Sequence, residues 1–382
     1  MGDLNMLKVI LSGGGTAGHV NPAIAIYEII KEKHPDAEFL YVGTPNGIEK
    51  TLVEKEGIRF VSMEVAGFQR KITLNNIKRN AVATKYFLES GHKAKKIIDD
   101  FKPDIVIGTG GYACEPIVHK AAAMGIKTVI HEQNAFPGVT TKILSKKADK
   151  VMLTVERAKE YIKDQDKCIV TGLPVRHGFV DRLSKTEAKK ALGLPTDQLC
   201  ILSTGGSLGA GRINETVSDL IAWYCENNIK ISHIHSYGKN GRGSFAASLK
   251  TNGVNLAEHP DFIVKEYIDN MSTCMEAADL IISRCGAGAL TEIEAVGCGS
   301  ILVPSPIVAE NHQFYNGKVL SDGGAAIMFE QKDLTSELLI KTVSDLINDP
   351  KKLEELSANA AKLYIKDTPD RVGAVIEEVL NV

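Results

Sequence analysis

The groups in this chain that could do chemistry fall into a few short clusters. His19 directly follows the turn Gly13-Gly14-Gly15-Thr16-Ala17-Gly18. An imidazole exchanges a proton near neutral pH, so a histidine placed there suits general-base work, with loop ordering as the competing reading. A polar cluster, His131-Glu132-Gln133-Asn134 with Pro137-Gly138, follows the apolar run Thr128-Val129-Ile130. In the second half, Gly205-Gly206-Ser207 forms another turn at a helix start. Glycine lets a ligand approach the backbone there, and free N–H groups attract phosphate. Ser283-Arg284 then leads through Gly286-Ala287-Gly288-Ala289-Leu290-Thr291 to Glu292. That carboxylate could accept two sugar hydroxyls or serve as the acid of a capping box. Glu310-Asn311-His312-Gln313 and Asn316 suit hydroxyl recognition, unless they only open a surface helix.

Other chemistries find less support. Gly13 to Gly18 satisfies GxGxxG, yet Phe39-Leu40-Tyr41-Val42 runs into Gly43-Thr44. A dinucleotide enzyme places an acid at that strand end for the ribose, so a nicotinamide-dependent oxidoreductase is disfavoured. No Gly-Lys-Ser/Thr follows the turn, which excludes a Walker A loop. Asp164-Gln165-Asp166 spells a DxD, but it lies in the charged run Lys163 to Lys167 before a strand and reads as a solvated turn. No metal is expected. The 7 cysteines are scattered without a CxxC pair, which argues for free thiols.

The elements that must position these clusters follow one rhythm. Leu7 to Leu11, Phe39 to Val42, Asp104 to Ile107 and Thr128 to Ile130 alternate with helix-period segments such as Pro22 to Lys31 and Glu115 to Met124. Short apolar runs without polar alternation fit strands buried on both faces, hence a parallel sheet covered by helices. The rhythm pauses near Leu173-Pro174-Val175, crosses the charged stretch Asp181 to Lys190, and restarts at Leu199 to Ser203. Each half therefore opens with a strand, a glycine-rich turn bearing a hydroxyl, and a helix. The expected fold is α/β, with two Rossmann-like doubly wound domains spanning 1–170 and 171–368 and a last helix, about 369–382, able to pack back on the first.

A length of 382 residues, 44% hydrophobic and 24% charged, suits two soluble domains. With 45 Lys plus Arg against 47 Asp plus Glu, the net charge of -2 disfavours a nucleic-acid partner. No run approaches the roughly 18 apolar residues of a membrane span. The opening MGDLNMLKVILSGGG reads as a strand rather than a signal peptide, so a cytoplasmic location is expected.

Taken together and in order, these motifs resemble the MurG family of bacterial transferases. Its members add N-acetylglucosamine from a UDP donor to the lipid-linked muramyl-pentapeptide precursor of peptidoglycan. The matching stretches are Gly14 to His19 with Pro22-Ala23, Gly108-Thr109-Gly110-Gly111-Tyr112, His131 to Asn134 with Pro137-Gly138, and Pro174-Val175-Arg176. They continue with Gly205 to Ala210, Tyr267-Ile268-Asp269-Asn270-Met271, Ser283 to Glu292, and His312-Gln313 with Asn316. The resemblance implies the GT-B architecture with an interdomain cleft, inverting transfer to the C4 hydroxyl of muramic acid, and no cofactor or required metal. It implies that the backbone of Ile268 binds uracil, Glu292 the ribose, and Ser207 with Ala287, Gly288, Ala289, Leu290 and Thr291 the diphosphate. Gln313 would read the sugar, Asn134 and Arg176 would complete the donor pocket, and Thr16, Ala17 and Gly18 would approach the donor from the first domain. His19 becomes the base, with Glu132 and Tyr112 on the acceptor side. Another GT-B UDP-sugar transferase or a UDP-sugar epimerase is the runner-up. Two positions depart from the family pattern: Ala17 replaces a glycine, and Leu173 stands where Asn is common.

An undecaprenyl-linked acceptor needs a membrane surface. Residues 66–96 hold Arg70, Lys71, Lys78, Arg79, Lys85, Lys93, Lys95 and Lys96 against one acid, Glu89, interleaved with Ile72, Leu74, Ile77, Val82, Tyr86, Phe87 and Leu88. Such a segment suits the anionic inner leaflet and peripheral attachment at the cytoplasmic face. A core-packed helix with a solvated basic face is the alternative.

Overall fold

The unbroken apolar runs become strands enclosed on both faces. The computed structural model describes residues 6–65, 89–175 and 182–381. The chain divides into two units, Met1–Arg176 with Ile365–Val382, and His177–Tyr364.

In the first unit β1 (Lys8–Ser12), β2 (Glu38–Gly43), β3 (Arg59–Ser62), β4 (Ile105–Gly108), β5 (Lys127–Glu132), β6 (Lys150–Leu153) and β7 (Cys168–Val170) form one sheet. Their order is β3-β2-β1-β4-β5-β6-β7, with the described pairings parallel. Ile10 and Val106 face the helix Glu115–Ala123 through Ile117 and Val118, and the helix at 89–101 through Ala94, Ile98 and Phe101. On the other face Val9, Leu11 and Ile107 meet Val20 and Ile24 of the helix Ala17–Lys33. Val372, Val375, Ile376 and Val379 of the helix Thr368–Leu380 join that same layer. Ion pairs Lys33–Glu377 (3.1 Å) and Lys150–Glu378 (2.6 Å) fix its rim. The end of the chain therefore completes the first sheet's core.

In the second unit β8 (Cys200–Thr204), β9 (Ser232–Ser236), β10 (Phe262–Lys265), β11 (Leu280–Ser283), β12 (Gly299–Leu302) and β13 (Ala326–Met328) stand in the order β10-β9-β8-β11-β12-β13, again parallel. The helices Gly211–Glu226 and Ser336–Ile347 cover one face through Ile213, Val217, Leu339 and Val343. Leu290 and Ile293 of the helix Ala287–Val296 cover the other.

Each sheet reverses its winding beside its first strand, between β1 and β4 and between β8 and β11. The helices after those strands leave toward opposite faces, so the loops part and open a crevice at the strands' carboxyl ends. The register keeps these ends level, Ser12 opposite Gly108 and Ser283 opposite Thr204. All seven cysteines are free, and Cys225 alone of them is half-buried rather than buried. Among the described residues no helix is long and apolar enough to cross a membrane.

Candidate active site

At the second unit's crevice, two loops meet. The loop after β8 folds back on itself: Gly209 has φ +78, and an added Cβ would collide with the Tyr237 carbonyl. That fold leaves Ser207 exposed. After β11, Arg284-Cys285-Gly286 leads into Ala287–Val296, where Gly286 is the N-cap residue and no side chain caps the helix. The helical ladder begins with Leu290 N–H donating to the Gly286 carbonyl at 3.0 Å. The N–H groups of Ala287, Gly288 and Ala289 precede it, and the first turn holds no acid. A Cβ added at Gly286 or Gly288 would meet nothing within 4 Å. An open helix start with its positive dipole end is a seat for phosphate. The Leu290 and Thr291 side chains are buried. This narrows what the 287–291 stretch can offer a ligand to the backbone of its first three residues.

A solvent-open pocket joins these parts, walled in part by Gly206, Ser207, Tyr267, Met271, Ala289 and Glu292. Glu292 stands on the second helical turn, half-buried. Burial pushes its carboxyl up to about 7. A carboxylate so placed gains by accepting hydroxyl protons from a vicinal diol. Ile268 is buried beside exposed Tyr267, so its side chain anchors the loop and its backbone is what a ligand can meet. Gln313 Oε1 accepts the Ser305 N–H (2.9 Å), which leaves its NH2 to donate. Just before it, Glu310 and Asn311 hold left-handed φ values of 54° and 51°, local strain of a kind that gathers at ligand sites. Asn316, expected to read hydroxyls, is instead buried and donates to the Cys285 carbonyl at 3.2 Å. Arg284 donates to the carbonyls of Val303 and Pro304, both at 3.1 Å. Both side chains brace the loop.

In the first unit the loops after β1 and β4 interlock. Gly14 N–H donates to the Gly110 carbonyl (3.3 Å), Thr109 Oγ1 to the His19 carbonyl (2.6 Å) and the Tyr41 hydroxyl to the Gly13 carbonyl (2.6 Å). Gly111, at φ +76, lies so close to the Gly14 carbonyl that a Cβ would overlap it. Sequence reading missed Glu49, which is wholly buried beneath this turn in the helix Ile48–Lys55. Its carboxylate accepts Thr44 N–H (3.0 Å), Thr44 Oγ1 (2.5 Å) and Gly15 N–H (3.3 Å). Burial alone would raise this carboxyl, but those hydrogen bonds outweigh it and hold it below its ordinary value. The protein's own anion thus takes up the glycine turn from beneath. Within the GxGxxG match at Gly13–Gly18, the Gly15 N–H is already taken by the chain's own carboxylate. The signal was an acid just past β2, beyond the strand-end position at which the fingerprint looks.

His19 sits in the first turn of Ala17–Lys33, half-buried, between exposed Gly18 and buried Val20. Thr16 is exposed, and Ala17 is not among the positive-φ residues, so its methyl strains nothing. His19 Nδ1 lies 2.9 Å from Gln133 Oε1. Tyr112 is 43% exposed, its ring edge against Gly15. Glu132 differs from expectation. It is buried, with Oε1 accepting Asn134 N–H (2.9 Å) and the Asn134 amide (3.0 Å), and Oε2 accepting Gly138 N–H (3.0 Å) and the Thr141 hydroxyl (2.5 Å). Four donors commit it to shaping the 132–141 loop, and through that loop it places half-buried Asn134. Leu173 is buried, an apolar anchor. Arg176 lies outside the described residues. Asp164 of the DxD pairs with Lys167 (3.3 Å), and no group of three metal-binding side chains occurs among the described residues.

The glycosyltransferase family 28 N-terminal domain matches residues 9–153, and the family's C-terminal domain matches residues 200–372. The chain is 39% identical over 375 residues to the UDP-N-acetylglucosamine--N-acetylmuramyl-(pentapeptide) pyrophosphoryl-undecaprenol N-acetylglucosamine transferase of Acetivibrio thermocellus, covering 98% of this chain and 99% of that one. Among solved structures, Acinetobacter baumannii MurG superposes with a TM-score of 0.78 at 26% identity, covering 97% of this chain and 99% of that one. A putative UDP-N-acetylglucosamine 2-epimerase from Listeria monocytogenes reaches 0.67 at 14% identity, covering 98% and 97%, a likeness of fold alone.

Proposed function

The chain belongs to glycosyltransferase family 28 and, within it, to the MurG-type N-acetylglucosamine transferases, and from that premise we propose how its residues divide the reaction. The protein transfers N-acetylglucosamine from UDP-N-acetylglucosamine to the muramic acid C4 hydroxyl of lipid I, forming lipid II in peptidoglycan synthesis. The uncapped start of Ala287–Val296, sharing one pocket with Ser207 and Glu292, is the observation that carries the assignment. Ala287, Gly288 and Ala289 N–H with Ser207 hold the diphosphate, Glu292 accepts the ribose hydroxyls, the Ile268 backbone meets uracil, and Gln313 donates to the sugar. Thr16, Ala17, Gly18, Asn134 and Arg176 complete the donor contacts, and Tyr112 flanks the acceptor.

The acceptor oxygen attacks the anomeric carbon in line, and its proton passes to Nε2 of His19. The bond from that carbon to the phosphate oxygen breaks, its electron pair leaves on UDP, and configuration inverts. Negative charge grows on the diphosphate, so oriented N–H groups stabilise the transition state more than the bound donor. The same groups replace a cation, and turnover should survive EDTA. Complete loss, restored by Mg²⁺ or Mn²⁺, would contradict this. The direct test is transfer of labelled N-acetylglucosamine to a lipid-linked muramyl acceptor. A folded protein giving no product, or only an epimerised donor, would overturn the assignment.

Attachment to an anionic inner leaflet is the reading we favour for residues 66–96. Of these, 66–88 lie outside the described residues. In the rest, Ala94 turns into the core, followed by Ile98 on the same helix, while Lys93 pairs with Glu64 (3.1 Å) and Lys95 with Asp99 (2.5 Å) at the surface. The apolar side of the helix at 89–101 is therefore occupied, and docking there is electrostatic, at about 1 kcal/mol per cation. The chain should co-sediment with anionic vesicles and be released by salt. Equal binding to zwitterionic vesicles would refute it.

A further inference from the structure

A histidine that accepts a proton through Nε2 must have that nitrogen bare, and a neutral imidazole exposed to water exchanges between two tautomers. The first unit contains a chain of groups that decides between them. At its far end, His131 Nε2 lies 3.0 Å from the Gly172 carbonyl oxygen. A carbonyl only accepts, so this nitrogen carries the hydrogen. His131 is buried, and burial pushes its pKa below the usual imidazole value. The ring stays neutral, and its Nδ1 is an acceptor. Gln133 Nε2 lies 3.1 Å from that Nδ1 and 2.9 Å from the His131 carbonyl. Two acceptors require the NH2 end of the amide, which turns Oε1 toward His19 Nδ1 at 2.9 Å. An amide oxygen only accepts, so the His19 hydrogen sits on Nδ1. With the rings as placed, each link is forced by the one before, and the amide's orientation follows from the two acceptors it faces.

One glycine makes room for the chain, and another sets its far end against the C-terminal segment. A Cβ on Gly110 would stand 2.9 Å from His19 Nδ1. Gly172, at φ +81, is packed against Ile365 and Thr368 of the returning C-terminal segment.

We propose that Gln133 and His131 are positioning residues that lock His19 in the Nδ1–H tautomer and leave Nε2 bare to take the acceptor's proton. The proposal rests on the reading of His19 as the base. As the imidazolium forms, its Nδ1–H bond to Oε1 strengthens, but the proton goes no further, because an amide oxygen does not take it. The arrangement orients and stabilises without relaying charge.

Ring ¹⁵N spectra of the full-length protein, assigned with His19→Ala, test this without reference to turnover. The expected wild-type pattern is a protonated Nδ1 and a bare Nε2 on His19. In Gln133→Leu the Nε2–H form should appear, with kcat falling at least about tenfold, within the range general-base catalysis supplies, and KM for the donor within about twofold. Gln133→Glu, its carboxyl protonated so that it can donate toward the His131 acceptors, keeps an acceptor facing His19 and should keep the wild-type tautomer. A protonated Nε2 in the wild type would overturn the proposal. So would Gln133→Leu that retains both the Nδ1–H form and full kcat. Full turnover by His19→Ala would remove the base reading instead, while the spectrum would still decide the tautomer.

Discussion

Glu49 and Glu292 both stand beside glycine-rich turns, and their surroundings drive them apart. Three donors hold Glu49 ionised and low, whereas burial pushes Glu292 up to about 7. Ribose hydroxyls donate, so they favour the ionised form of Glu292. Below about pH 7 a growing fraction of free protein must release a proton to bind donor. UDP-N-acetylglucosamine affinity should therefore fall from pH 8 to pH 6, approaching tenfold per pH unit at the acid end. Calorimetry in buffers of different ionisation heat should detect the released proton. Glu292→Gln should bind more weakly by roughly 1.5–3 kcal/mol, the range for hydrogen bonds to a charged group, and lose the pH dependence. Affinity that is flat with pH in the wild type would show that Glu292 does not meet the ribose.

At the scale of an element, the start of Ala287–Val296 is left less stable than it could be. Helices gain from an Asp, Ser or Thr at the N-cap, yet Gly286 stands there with open space around it. Gly286→Asp should raise helix stability by about 0.5 kcal/mol through capping and the dipole. It should also place a carboxylate where the diphosphate binds. We expect an unchanged or higher Tm together with donor binding at least tenfold weaker. Undiminished binding would move the diphosphate elsewhere. The glycine turn of the first unit is the converse case, since Glu49 already fills the space beneath it.

At the scale of the whole molecule, the chain crosses from the first unit to the second and returns. The helix Thr368–Leu380 buries Val372, Val375, Ile376 and Val379 in the first sheet's core. Each such side chain is worth roughly 1.5–3 kcal/mol. Four together approach the stability of a typical domain, about 5–15 kcal/mol. Ending the chain after Tyr364 should unfold the first unit while the second keeps its fold and still binds UDP-N-acetylglucosamine, more weakly for want of the first unit's contacts. Loss of both, seen by hydrogen exchange and titration, would mean that the units do not fold independently.

Much of this was legible in the residues. Apolar runs without polar alternation fit only strands covered on both faces, and glycine turns leading into helices marked the crevices, so the two doubly wound halves, His19, Ser207 and Glu292 followed from local pattern. Other features needed the folded chain, because they depend on hydrogen-bond partners distant in sequence. Glu49 reaches Gly15 and takes up an N–H of one glycine motif, while no side chain caps Ala287 and the other turn stays open. Asn316 and Glu132 look like ligand-reading residues, but Asn316 donates to the Cys285 carbonyl of a distant loop and Glu132 accepts from its own loop. The sequence places an imidazole at position 19, but which of its nitrogens is bare depends on Gln133 and on a carbonyl at Gly172, groups that only tertiary packing brings to one place.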